Sequence, residues 1–324
     1  MKKHKALYRL LFIIASIVIL DQGFGLYLDH KQEQNKCDYC NGKINFFVDQ
    51  EQCDTLFIGS SRVLHSIKPQ LVGPNSRILG YQNKDICHNV ALYDIISSKK
   101  RNPSKTLVFN IDLDDLFTPD QRLLERVYSL KYYYTQNDFV RSLIDRIGYE
   151  ERIKFVSRLY KHNGNGWKLI ARPITNNCKT ISLSGYEPLI PGPLDSIRLA
   201  KSIEEDFKQL DACQKQDLIY EMLNHLKSLT DQQGVELIVI NAPYYTIQKD
   251  WFSASKEFGI QCKKTGIKYI DFNQMELPEL ENRSLWYDNM HLNDDGASIF
   301  SKIIGQTLKF QQFTNNIELQ SEMK

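Results

Sequence analysis

The chain of 324 residues has no surplus of charge of either sign: 41 Lys and Arg stand against 39 Asp and Glu, a net charge of +2. It also lacks any basic patch interleaved with aromatic residues. These two absences exclude the electrostatic footprint of a nucleic-acid binder. No second Cys-x-x-Cys accompanies Cys37 and Cys40, so the paired-thiolate pattern of a structural zinc site is missing. Cys53, Cys87, Cys178, Cys213 and Cys262 are scattered. Seven cysteines fit an exported domain with a local disulfide, or with Cys37 or Cys40 paired to Cys53, and the odd count leaves at least one thiol over. No internal repeat is present.

A cleavage signal is missing as well. Lys2, Lys3, Lys5 and Arg9 precede an uncharged run over residues 10–20, and apolar character resumes at 23–28 after Asp21 and Gln22. Residues 7–28 supply about the 20 residues a membrane span needs. Asp21 would cost about 3 kcal/mol at the centre of a span and much less near an interface; it lies nearer the far end. No small-x-small pattern follows the run and no lipid-attachment cysteine is near, which predicts an uncleaved signal anchor over a removed signal peptide. The positive flank then stays in the cytoplasm and everything after about residue 30 lies outside, in the periplasm or at the cell surface. The alternative is a buried amphipathic helix of a cytosolic protein.

Apolar residues make up 42% of the chain, ample for the core of a large α/β domain. Residues 54–62, DTLFIGSSR, read as a short strand running through Gly59, Ser60 and Ser61 into a helix-compatible VLHSI. Such a turn puts a hydroxyl at the carboxyl end of a sheet, where open α/β folds keep their ligands. Residues 288–292, DNMHL, supply what a serine lacks: an imidazole at His291 to take its proton and a carboxylate at Asp288 to orient that imidazole.

At these two stretches the sequence resembles the SGNH, or GDSL-like, hydrolase superfamily. The likeness is greatest to the membrane-anchored branch whose first block reads Gly-Ser-Ser, which includes D-alanyl-lipoteichoic-acid transfer and alginate O-acetylation proteins. The resemblance makes Ser61 the nucleophile, with Ser60 where Asp is usual, and His291 and Asp288 the rest of a triad. It sets residues 87–92, CHNVAL, as the second block, with Asn89 and with Ala91 where Gly is usual. It sets Asn110, in KTLVFNIDLDD, in place of the third block's Asn. The implied oxyanion donors are the N–H groups of Ser61 and Ala91 and the Asn110 side chain. The branch implies O-acyl transfer to or from a cell-envelope polysaccharide, an acyl donor and a multi-span membrane O-acyltransferase as partner; no cofactor or metal is expected. An esterase for small or lipid esters and a non-catalytic glycan-binding or scaffold protein are the alternatives.

His88 reads as structural, and Asp112, Asp114 and Asp115 as solvated acids at a strand end. Residues 119–233 leave the strand–helix alternation as a large, mainly helical insertion. Its aromatics read mostly as core, with Trp167 and Tyr186 the better candidates for stacking on sugars. Alternation returns with strands at 235–241 and 267–272, a helix at 248–264 between them, and a final helix capped by Asn293 or Asp294. The expectation is a flavodoxin-like three-layer α/β/α sandwich with a central parallel sheet over residues 50–312. It follows an anchor at 1–30 and a linker at 31–49, and precedes a tail at 313–324.

Overall fold

The structure is a computed structural model that describes residues 2–36, 41–99, 103–164, 166–171, 185–190, 199–204 and 217–322. Cys37, Cys40, Cys178 and Cys213 lie outside these residues, and the disulfide expected of Cys37 or Cys40 falls there. The chain divides into two compact units, one of Met1–Gln50 with Leu124–Ile181 and one of Glu51–Leu123 with Ser182–Lys324.

The second unit is built on five parallel strands, β1 (Cys53–Gly59), β2 (Ser76–Gly80), β3 (Ser104–Asn110), β4 (Glu236–Asn241) and β5 (Lys268–Asp271). Their order is β2-β1-β3-β4-β5, the flavodoxin-like arrangement expected from the alternation. Ile58 stands beside Phe109, Phe109 beside Val239, and Val239 beside Tyr269. Strands buried on both faces require nearly continuous apolar runs, and TLFI, TLVF and LIVI provide them. Phe57, Val108, Ile238 and Ile270 form one face of that sheet. Against it pack Val63 and Ile67 and, from the last helix Asp294–Glu322, Ala297, Phe300, Ile304 and Leu308 at helical spacing. Helices Ile86–Lys99 and Asp217–Gln233 pack together elsewhere on the unit, and Lys249–Lys264 lies against β5.

Three local expectations change. Residues 86–91, which hold most of the second block, are the first turns of a helix rather than a donor-bearing turn; the buried Asp85 side chain accepts from the His88 N–H and that of Asp115 from the Ile86 N–H. The helix-compatible VLHSI lies in a short helix, Ser61–Ser66, that stops before Ile67, and a second, Pro69–Val72, follows. Pro69 forces Lys68 out of the helical region, and its fixed φ then suits the first position of the next helix. The final helix runs on to Glu322, through the expected tail.

The first unit is helical, with Lys2–Gln34, Asn41–Val48, Asp138–Ile147, Tyr149–Lys154 and Gly166–Ala171. Tyr132, Tyr133 and Tyr134 are buried, as core aromatics should be. The stretch Lys5–Gln34 is long and apolar enough to cross a membrane. Asp21, its one awkward residue, accepts from the Ser157 hydroxyl at 2.6 Å, the Arg158 N–H at 2.8 Å and the Leu159 N–H at 3.4 Å. Gly25 allows this approach, since a Cβ there would lie 2.7 Å from Arg158 Cγ. Two turns after Asp21, Asp29 gathers Arg158, Lys161 and His162.

Candidate active site

Strand β1 ends at Gly59, where a Cβ would lie 2.5 Å from Val63 Cγ2 and 3.0 Å from Asn110 Cβ. Only glycine lets the chain turn this tightly against its own helix. Ser60 caps that helix, its hydroxyl accepting from the Arg62 N–H at 3.2 Å. Ser61 is therefore the first helical residue, at the switch point between β1 and β3. Its N–H is one of the first four that a helix leaves without an internal partner.

The loop after β5 brings the other side chains. Ser61 Oγ lies 2.8 Å from His291 Nε2, and His291 Nδ1 lies 2.9 Å from both carboxylate oxygens of Asp288. Asp288 also accepts from the N–H groups of Met290 and His291, each at 2.8 Å. Burial pushes the Asp288 carboxyl up, but its bond to and electrostatic attraction by His291 and the two backbone bonds outweigh it and hold it below the ordinary carboxylate range. The loop is fixed at its far end by Asn293, whose side chain caps the last helix through the N–H groups of Asp295 and Gly296. Ser66 accepts from the Leu292 N–H, which joins this loop to the helix that carries Ser61.

The other sequence candidates stand differently. Ala91 is the sixth residue of helix Ile86–Lys99, so its N–H belongs to the helical ladder rather than to an oxyanion loop. Asn89 is buried in the same helix, its side-chain oxygen 3.3 Å from His88 Nδ1. Asn110 gives its amide N–H to Asp112 at 2.8 Å and takes the Ala242 N–H at 3.0 Å, which ties the end of β3 to the end of β4 and engages both ends of its amide. Asp112 and Asp115 are buried and engaged rather than solvated. Tyr186 is buried in the core with its hydroxyl on Asp294, so its ring offers no free face to a sugar. Trp167 is exposed, in the helical unit. His88 is buried beside the Tyr81 ring, in keeping with a structural residue.

No family model and no curated protein match this sequence. Among solved structures, a Bacteroides fragilis protein provisionally described as an acylhydrolase aligns at 8% identity and a TM-score of 0.42, over 85% of this chain and 98% of its own. The chemistry is accordingly read from the side chains themselves.

Two of those were not singled out in the sequence. Arg62, next to Ser61, is fully buried. Its guanidinium donates to the carbonyls of Met290 (3.3 Å), Ala242 and Pro243 (2.8 Å) and to Asn241 Oδ1 (3.3 Å). It also lies 3.5 Å from Asp112 and stacks 3.7 Å from the centre of the Tyr244 ring. One side chain thus joins the helix of the serine, the ends of β3 and β4, and the residue before His291. His65, one turn beyond Ser61, stands edge-on 6.0 Å from the His291 ring, its Nδ1 2.7 Å from the Glu187 carbonyl. A charged residue inside the otherwise buried helix SRVLHS was the signal for Arg62.

Proposed function

We propose that this protein is an exported, membrane-anchored serine acyl-transfer enzyme of the SGNH type, which moves or removes an ester-linked acyl group on a cell-envelope polysaccharide through Ser61, His291 and Asp288. The observation that carries this reading is the continuous hydrogen-bonded chain from Ser61 Oγ through His291 to Asp288 at the carboxyl end of a parallel sheet. A serine hydroxyl is a poor nucleophile at neutral pH. His291 Nε2 takes its proton as Oγ bonds to the ester carbonyl carbon, and Asp288 holds the tautomer and stabilises the imidazolium. The tetrahedral oxyanion is met by the Ser61 N–H. Collapse breaks the ester C–O bond, His291 returns the proton to the departing alkoxide, and an acyl-serine remains. Water or a sugar hydroxyl, deprotonated by His291, then bonds to the acyl carbon; the Ser61 Oγ–carbon bond breaks and His291 returns the proton to Oγ. The polysaccharide and a multi-span membrane partner are supported by the resemblance of the first and last blocks, and the anchor by the apolar helix.

A second reading, a binding protein that keeps the fold without the chemistry, draws on Ala91 and Asn110 being engaged elsewhere. Treating the full-length protein in detergent with a fluorophosphonate and mapping the adduct by peptide mass spectrometry separates the two. A phosphonyl adduct on Ser61 that is lost in His291→Ala is the expected result. A folded protein with no adduct would leave the binding reading in its place.

A further inference from the structure

Apolar exposure in the helical unit does not stop where the anchor meets the rest of the chain. Along residues 7–20 the large side chains Leu7, Leu10, Phe12, Ile13, Ile17 and Leu20 are exposed on every side of the helix, as in a span with lipid all round it. At 1.5 Å per residue those 14 positions cover about 20 Å, whereas a hydrocarbon core is about 30 Å thick and takes about 20 residues. Measured from Leu7, beside Lys5 and Arg9, the far boundary falls near residues 26–28. At that level the helix is flanked on one side by Phe155 and Val156, which share a surface cleft with Leu26, and on the other by Trp167 and Ile170, which share one with Phe24 and Leu28. Val156 is 80% exposed and Trp167 78%.

We propose that Val156, Trp167 and Ile170, with Phe24 and Leu26, form a collar seated in the bilayer leaflet farther from Lys5 and Arg9. This rests on the anchor reading of the helix. The polar groups of the unit are arranged for that depth. Asp21, about 10 Å inside the boundary by the same count, is covered by the donors of Ser157, Arg158 and Leu159, so the irregular backbone of 157–159 is satisfied within the protein, as non-helical backbone at membrane depth must be. The charged cluster of Asp29, Arg158, Lys161 and His162 begins where the hydrocarbon ends. A tryptophan at that level is the residue type that membrane interfaces favour.

The three tryptophans give the test, because Trp251 and Trp286 are buried at 4% and 2% exposure. Full-length protein is reconstituted into phosphatidylcholine vesicles brominated near the headgroup end of the acyl chains, and the Trp167 signal is taken as the difference between wild type and Trp167→Phe. That signal should fall about twofold or more with brominated lipid and resist aqueous iodide. In the Trp167→Phe background, Val156→Trp should behave likewise, and Phe12→Trp should be quenched best by bromine near the bilayer centre. Loss of the Trp167 signal to iodide but not to lipid bromine, with the residue-12 probe still quenched, overturns the collar and keeps the anchor; this would be the outcome if the surface is built for a protein partner. If the residue-12 probe also escapes lipid bromine, collar and anchor both fall.

Discussion

Arg62 carries a positive charge where nothing can hydrate it, and each of its donors is met by a carbonyl, an amide or a carboxylate. Removing one partner from a buried charged network strands the others, at about 3–5 kcal/mol. Arg62→Leu should lower unfolding stability by that order in urea titration and slow fluorophosphonate labelling of Ser61. Arg62→Lys keeps the charge but cannot reproduce the planar fork, and should lie between the two. Tyr244 beneath the guanidinium is a fixed support: burial pushes its phenol well above the ordinary value, so it stays neutral, and its oxygen accepts from the Leu113 N–H. Asp288 makes the second prediction at this scale. Because its folded pKa is lowered, its stabilising contribution is complete above the unfolded value of about 4 and is lost as pH falls through the lowered folded value. The urea midpoint of the wild type should therefore drop on acidification below about pH 4 more steeply than that of Asp288→Asn.

The turn between β1 and helix Ser61–Ser66 is set by contact between two of its own residues. Gly59→Ala drives a Cβ into Val63 Cγ2 at 2.5 Å and presses on Asn110 Cβ at 3.0 Å. Overpacking of this kind costs about 1–3 kcal/mol and moves Ser61 away from His291. Val63→Ala removes the nearer clash and leaves the other, so the double variant should recover part of the lost stability and labelling rate. Full recovery, or none, would show that the glycine acts in some other way. Elements also mark where sequence reading stops. Ser61, His291 and Asp288 could be named because each sits in a short local motif, Gly-Ser-Ser at a strand end and Asp-x-x-His before a helix, and the side chains so named lie within bonding distance. ICHNVAL is a short apolar run without a decisive period, and only the caps from Asp85 and Asp115 show it as a helix. That helix takes up the Ala91 N–H. Asn110 takes the N–H of Ala242, just past β4, and Arg62 donates to the carbonyl of Met290 in the histidine loop, 132 and 228 residues away, where no local pattern reaches.

At the scale of the molecule, strand order was readable because short apolar runs alternating with helices leave few right-handed parallel arrangements. The division of the insertion was not readable: Leu124–Ile181 groups with the N-terminal helix and Ser182 onward with the sheet, because Asp21 and Asp29 draw residues 157–162 to that helix. The order of the blocks along the chain has a temporal side. Ser61 and His291 are 230 residues apart, and the strand that leads to the histidine joins the edge of a sheet assembled wholly from non-local pairings, the slow kind to form. At about 5–20 residues per second, a ribosome delivers Ser61 roughly 10–50 s before His291. The nascent chain thus carries Ser61 without its histidine partner for most of its synthesis, and the seating of the last loop against Ser66 is the event that brings the two together.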